Sequence, residues 1–146
     1  MRVVGHIEPG VCFRAAVTQR PVVLARYLGG RGRRRDETRG VDFAVVTDAG
    51  QRFVVRVSDQ TYLDERPPRP PRGQLAEQAV GPGDLVEVIG VETHEVDPSA
   101  DRASARATPF QVCLSGADIA PLVVRPLRRR EKLRPAALTS PFWDMT

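Results

Sequence analysis

Apolar and polar residues alternate along 41–58, which reads VDFAVVTDAGQRFVVRVS. This period of two predicts two strands, at 41–47 and 51–58. The segment Asp48-Ala49-Gly50 suits a three-residue turn with Gly in a left-handed conformation. That turn places Asp42 opposite Arg56, so that a carboxylate meets a guanidinium. It also places apolar residues opposite one another on the core side: Phe43 opposite Val55 and Val45 opposite Phe53.

The same reasoning predicts further strands outside the hairpin. They are PVVLARYL (21–28), DLVEVIGVETHEV (84–96) with a bulge or bend at Gly90, PFQVCLS (109–115) with Phe110, Val112 and Leu114 on one face, and a short RVVGHI strand (2–7). The segment QLAEQAV (74–80) is the only candidate helix in the body, and an irregular loop is the alternative. Long loops are expected at 29–40, 66–73 and 97–106, since these segments are rich in Gly, Pro or charge.

Many short strands with at most one short helix predict an all-β protein built as a small closed barrel. FAVVTDAGQRFVVRV resembles the second and third strands of OB-fold barrels, and VGPGDLVEVIGVE resembles their fourth. TQRPVVLARYL, the hairpin and GPGDLVEVIG together are similar to the β-domain of GIDE-type membrane ubiquitin ligases and their bacterial relatives. The resemblance covers about residues 20–115. Those ligases carry membrane helices and a cysteine-rich RING, whereas this chain has two cysteines, so ligase activity is not expected.

Composition narrows the class of protein. At 146 residues the chain fits one domain, and no apolar run is long enough to span a membrane. The N-terminus has no apolar signal region, which favours a cytoplasmic location. Cys12 and Cys113 are expected as reduced thiols, with a disulfide as the alternative. All basic residues except Lys132 are Arg, which in a chain rich in Ala, Gly and Pro indicates a GC-rich, bacterial genome.

The net charge of +4 arises in the C-terminal segment. Positions 1–124 carry equal numbers of basic and acidic residues, whereas the segment from Arg125 onward is strongly basic. The chain therefore divides into a neutral β-domain, 1–124, and a basic tail, 125–146. Phe142 and Trp143 lie near the end of that tail and could anchor a protein partner. The alternatives are that they fold back onto the chain's own β-domain or stay unattached.

Nucleic acid is a possible partner, because OB barrels often bind it beside their first long loop. The basic candidates are Arg31, Arg33, Arg34 and Arg35 in that loop, with Arg52 and Arg56 on the outer face of the hairpin. Single-strand binding also needs exposed aromatic platforms. Phe43, Phe53 and Phe110 are expected in the core, which leaves Tyr27 and either Phe13 or Tyr62.

Catalytic and cofactor motifs are missing from the sequence. His6 and His94 are the only histidines, and only Glu92 shares a strand face with His94, so no metal set is complete. The segment GGRGRRR lacks the Lys-Ser/Thr of a phosphate-binding loop. We therefore expect a non-enzymatic module without cofactor or metal, which recruits a protein partner or self-assembles through its barrel surface, its edge strands or its tail. The alternative is a single-stranded nucleic acid binder that uses the Arg-rich loop.

Overall fold

A computed structural model describes residues 1–29, 35–71, 73–96 and 110–127 of the chain. Within these residues the fold is all-β, as predicted, and contains no helix. The strands are β1 (Arg2–Ile7), β2 (Phe13–Arg14), β3 (Pro21–Val22), β4 (Leu24–Gly29), β5 (Arg35–Gly40), β6 (Phe43–Val46), β7 (Arg52–Val55), β8 (Thr61–Leu63), β9 (Leu75–Val80), β10 (Leu85–Ile89), β11 (Val91–Val96), β12 (Phe110–Ser115) and β13 (Leu122–Pro126).

The strands form three sheets that stay open. The largest has the order β11-β12-β7-β6-β1-β10-β13-β8, a second has the order β5-β4-β9, and β2 pairs with β3. Most pairs are antiparallel, but β12 runs parallel to β7 and β13 parallel to β8. The prediction of a closed barrel was wrong, because β11 and β8 end the large sheet without pairing with each other.

The predicted hairpin is confirmed in its register. Phe43 lies opposite Val55 and Val45 opposite Phe53, and all four side chains are buried in the main core. Gly50 has a φ of 81°, the left-handed conformation that the turn requires. Asp42 and Arg56 form the predicted ion pair, with 3.1 Å between Oδ2 and Nη1. Local alternation and turn chemistry were sufficient to fix this element.

Gly90 divides the predicted strand 84–96 into β10 and β11, as the expected bend requires. A side chain at this position would lie 2.5 Å from Cδ1 of Leu122 and 3.0 Å from the carbonyl oxygen of Ser115. Only glycine allows so close an approach without displacing its neighbours. The bend therefore sets the direction in which β11 leaves the body of the sheet.

Three local predictions were wrong. Residues 75–80 form β9, neither a helix nor a loop, because they pair with β4 along its whole length. The predicted loop 29–40 ends in β5, which pairs with the other edge of β4. Phe110 is 54% exposed and does not lie in the core. The predicted loop at 97–106 lies outside the described residues.

The core has two parts, which share β4. The main cluster includes Leu24 of β4 together with Leu63, Leu114 and Leu122 of the large sheet. The opposite face of β4 packs Ala25 and Tyr27 against Val22, in a smaller cluster. Strand β4 is therefore covered on both faces and joins the two sheets.

The ordered body continues past the predicted start of the tail. Strand β13 runs to Pro126, and the Leu127 amide donates to the carbonyl of Leu85. The buried carboxylate of Glu87 lies 3.1 Å from Nη1 of Arg125 and also accepts a hydrogen bond from Arg2. Arg125 thus pairs with the body. Nothing is described beyond residue 127, so the basic tail with Phe142 and Trp143 lies outside the described residues.

Candidate interaction surface

Of the predicted nucleic acid residues, the structure describes the side chains of Arg52 and Arg56. Arg31, Arg33 and Arg34 lie outside the described residues, and Arg35 is the first residue of β5, opposite Gly29. Arg52 is the first residue of β7, the hairpin's second strand, and Arg56 directly follows the last residue of that strand. Their partners decide what they can bind.

Carboxylates of the same chain neutralise both guanidinium groups. Arg52 donates to Glu8 at 3.0 Å, and Arg56 bridges Asp42 at 3.1 Å and Glu95 at 2.8 Å. The hydrogen bonds that Arg56 donates to Glu95 and, to a smaller extent, to Asp42 raise the pKa of Arg56, and the same bond to Glu95 lowers the pKa of Glu95. A phosphate would have to displace these carboxylates before it could gain the same contacts.

The proposed aromatic platforms are occupied in other ways. Tyr27 is buried, and its hydroxyl accepts a hydrogen bond from the Ala16 amide at 2.9 Å. Phe13 packs, half-buried, against the same small cluster. The ring of Tyr62 lies 4.7 Å from the guanidinium carbon of Arg26. Tyr27 was therefore wrongly expected to be available for stacking on a base.

His94 and Glu92 share a strand face, as predicted, and both are exposed. The imidazole Nε2 donates to the Glu92 carboxylate across 2.8 Å. Within the described residues, no group of three or more His, Cys, Asp or Glu side chains lies close enough to hold a metal ion.

The described part of the chain also forms no helix of the length and apolarity needed to cross a membrane. Cys12 and Cys113 are both free thiols, as expected.

The cavities at the surface of the described part include two of moderate size. One of about 260 Å³ lies between Glu8–Val11 and the hairpin, and its wall carries Arg52 and Arg56. The other, of about 490 Å³, lies beside His6, Asp84 and Leu127. The first is smaller than the roughly 300–1,000 Å³ typical of small-molecule pockets. Its charged groups are already paired with one another, so neither its size nor its charge marks it as a ligand site.

The most exposed apolar side chains on a strand lie on the hairpin of β11 and β12, here called the arm. Strand β7 of the body pairs with β12 of the arm only from Val112 to Leu114. Phe110 shares the face of Val112 and Leu114, as predicted, but lies beyond the first residue of β7, so no core residue covers it. Phe110 lies directly opposite Val96, and the two are 54% and 67% exposed. The sequence could not show this overhang, because it depends on the pairing of β12 with β7.

The arm also carries an open strand edge. Strand β11 is the last in the order of the large sheet, so within the described residues no strand lies beyond it. Its sequence VETHEV contains no Pro and no Lys, two residues by which proteins often protect edge strands from pairing with other chains. Its charged residues are Glu92 and Glu95, and Glu95 is held by Arg56 of the body.

Strand β8, at the other end of the same sheet, is capped. It has three residues, and the carbonyl of Leu63 accepts a hydrogen bond from Nη1 of Arg26 at 3.2 Å. The buried Arg26 is held by Asp36, at 2.8 Å from Nε and 2.7 Å from Nη2. Within the described residues, the arm is therefore the exposed end of the sheet, and it brings together an apolar pair and an open edge.

Comparison with known proteins found no matching family model, no matching curated protein and no matching solved structure.

Proposed function

We propose that this protein is a non-enzymatic binding module that recruits a protein partner or assembles with itself through the arm. The observation that carries the proposal is the pair Val96 and Phe110, exposed side by side on the strand that ends the sheet. Exposed apolar side chains beside an open edge suit a strand-shaped protein ligand, because backbone hydrogen bonds supply affinity and side-chain contacts supply specificity. The arm replaces the barrel surface as the main contact element.

The C-terminal tail forms a second contact element in this proposal. Its basic residues follow the last described residue, Leu127, and Phe142 with Trp143 would be the anchor. A cytoplasmic location and a distant OB-like relationship belong to the same proposal. Support for the latter is limited to the hairpin, the strand at 85–89 and their resemblance in sequence.

Single-stranded nucleic acid is the less favoured partner. Arg52 and Arg56 are held by carboxylates, and Tyr27 is buried. A nucleic acid ligand would therefore depend on Arg31, Arg33, Arg34 and Arg35. The proposal favours a protein ligand because the exposed groups of the arm are apolar and acidic.

Site-specific photo-crosslinking in cells of the source organism tests the proposal. A photoreactive amino acid at position 110 should give discrete crosslinked protein bands, which mass spectrometry identifies. The same probe at position 119 is the control, because Ile119 is 97% exposed but lies on the turn after β12, beyond the opposite end of that strand from Phe110. The identified partner should bind full-length protein, and Val96→Ser with Phe110→Ser should weaken that binding about tenfold or more.

Two results would count against the arm. Identical crosslinked bands from positions 110 and 119 would show non-specific contact. Undiminished binding in the Val96→Ser, Phe110→Ser variant, with loss in Phe142→Ser, Trp143→Ser, would assign the contact to the tail alone.

A further inference from the structure

We propose that two copies of this chain associate by antiparallel pairing of their β11 strands, about a two-fold axis at Thr93. The inference rests on the proposed function, since it names one partner and one surface for the binding module. It places Glu92 of each copy beside His94 of the other. The large sheet would then continue across the axis from one copy into the next.

The open edge supplies the backbone groups. Strand β11 has six residues, and one of its edges pairs with β12 over the whole length. In an antiparallel strand the amide and carbonyl of one residue point to the same edge, and those of the next residue point to the other edge. Every second residue of β11 therefore directs both groups away from β12. A second extended strand satisfies these groups with a regular ladder of hydrogen bonds.

Symmetry limits the possible registers. An antiparallel pair related by a two-fold axis perpendicular to the sheet keeps each residue on the same face in both copies. One residue must therefore lie opposite itself. Within β11, only axes at Thr93 or at His94 allow five residue pairs, which is the maximum.

Hydrogen-bonding complementarity selects between these two registers. An axis at Thr93 places the Glu92 carboxylate opposite the His94 imidazole twice, as acceptor and donor, and Thr93 opposite itself. An axis at His94 places the two imidazoles together and gives neither Glu92 nor Glu95 a hydrogen-bond donor on the imidazole of the other copy. In the Thr93 register, the carboxylates and imidazoles of the two copies alternate around the axis. Within each copy Nε2 of His94 lies 2.8 Å from the Glu92 carboxylate, so both side chains lie on one face of the strand. Pairing across the axis would exchange this bond within one chain for the same bond between the two copies.

The remaining side chains of β11 fit the same register. Glu95 lies opposite Val91 but is directed to Arg56 of its own chain, at 2.8 Å. Val96 lies opposite Gly90, which has no side chain to obstruct it. No residue pair in this register therefore opposes two like charges.

The capped end of the sheet explains why pairing stops at two copies. Continued growth of the large sheet would require β11 of one copy to pair with β8 of another. Strand β8 is short, and Arg26 already occupies its Leu63 carbonyl. A two-fold pairing of β11 uses the same surface on both copies and closes the assembly.

Sedimentation velocity of the full-length protein tests the pairing. Wild type should reach a monomer–dimer equilibrium, whereas His94→Glu should weaken the dimer about tenfold, because both cross-strand pairs then oppose carboxylates. Glu92→Lys combined with His94→Lys should weaken it similarly. An equimolar mixture of these two variants should recover the dimer to within about threefold, since Lys then meets Glu at all four positions. His6→Glu is the control for charge, because His6 is exposed on β1, away from the edge.

Disulfide trapping tests the register. Thr93→Cys in a Cys12→Ser, Cys113→Ala background should give a covalent dimer on mild oxidation, since directly opposed residues have Cα atoms about 4.5–5.5 Å apart. Cys113 is removed because it lies directly opposite Thr93 in the same chain and would compete for the new thiol. His94→Cys in the same background should crosslink at least about tenfold more slowly, because its two copies are offset along the strand. Crosslinking at 94 and not at 93 would overturn the proposed axis.

Monomeric wild type at several hundred micromolar would overturn the self-association. So would unchanged dimers of both charge variants with no preference for the mixture. Either result leaves the wider function intact if the partner captured at Phe110 still binds. Conversely, a dimer with the proposed register and no captured partner would confine the function to self-assembly.

Discussion

The two ends of the large sheet are finished in different ways. At the β8 end, a buried guanidinium from the neighbouring sheet holds Asp36, the Leu63 carbonyl and the ring of Tyr62. At the β11 end, the strand leaves the body with exposed side chains, and its outer edge is open within the described part of the chain. One end contributes to the stability of the fold, whereas the other remains available for contacts with other molecules.

The difference follows from what each end packs against. Leu63 is buried in the main core, so β8 is fixed by apolar contacts before Arg26 adds its hydrogen bonds. The arm contacts the body mainly through Val112, Leu114 and the bridge between Arg56 and Glu95. Local stability in proteins follows the number of buried apolar contacts, so the arm should open more readily than β8.

Truncating one apolar side chain at each end gives the largest expected contrast. Leu63→Ala removes a fully buried side chain and should lower the free energy of unfolding by about 3 kcal/mol. Phe110→Ala removes an exposed ring and should cost less than about 1 kcal/mol. Urea denaturation followed by circular dichroism measures both. Equal losses would mean that the end of the arm packs against the body, and the contrast between the two ends would fail.

Asp36→Asn tests the electrostatic part of the cap. Hydrogen bonds from Arg26 hold the pKa of Asp36 below its ordinary value of about 3.8. This carboxylate therefore stabilises the fold above that ordinary value, and the stabilisation is lost as the pH falls through the lower, folded-state pKa. Since the Asp36 side chain is 48% exposed, Asp36→Asn should cost only about 1 kcal/mol at pH 7.

The stability difference between Asp36→Asn and wild type should shrink as the pH falls below about 4. Urea denaturation at each pH measures it. The matched control is Asp36→Asn in an Arg26→Met background, where the guanidinium that binds Asp36 is absent. Only the weaker attraction of Arg66 remains there, so the pH dependence of the difference should shrink. A difference that stays constant down to pH 2 would show that Asp36 acts through its shape alone.

The hairpin was predictable from sequence because all of its determinants are local. Turn residues 48–50 and the alternation on either side fix the register, including the Asp42–Arg56 pair. By contrast, residues 75–80 are good helix formers, and pairing with β4 overrides that propensity. Strand β5 has almost no apolar alternation, so its sequence gives no strand signal. It forms an edge beside the buried β4.

Both features that distinguish the ends of the sheet depend on non-local pairing. The cap requires β4, β5 and β8 to meet, and no local pattern connects Arg26 with Leu63. The exposure of Phe110 depends on where β12 joins β7, since its face was predicted correctly and its burial was not. Sequence patterns therefore indicated which side of a strand is apolar, but not where the core ends.

The smallest expected effect concerns how firmly the arm is tied to the hairpin. Cys113 of β12 is fully buried, and burial followed by its contact with Glu95 raises the pKa of its thiol. A thiol reagent should reach it only when the arm opens, and a Cys12→Ser background leaves it as the single thiol. Arg56→Gln removes the bridge to Glu95 and should accelerate labelling about two- to fivefold. The loss of a nearby positive charge alone would slow labelling, because Arg56 favours the thiolate form of Cys113. Faster labelling therefore reports opening of the arm.

Arg52→Gln is the matched control, since Arg52 pairs with Glu8 and not with the arm. Equal labelling rates in the two variants would show that this bridge does not hold the arm, and the arm would then be fixed by the pairing of β12 with β7 and by its buried side chains.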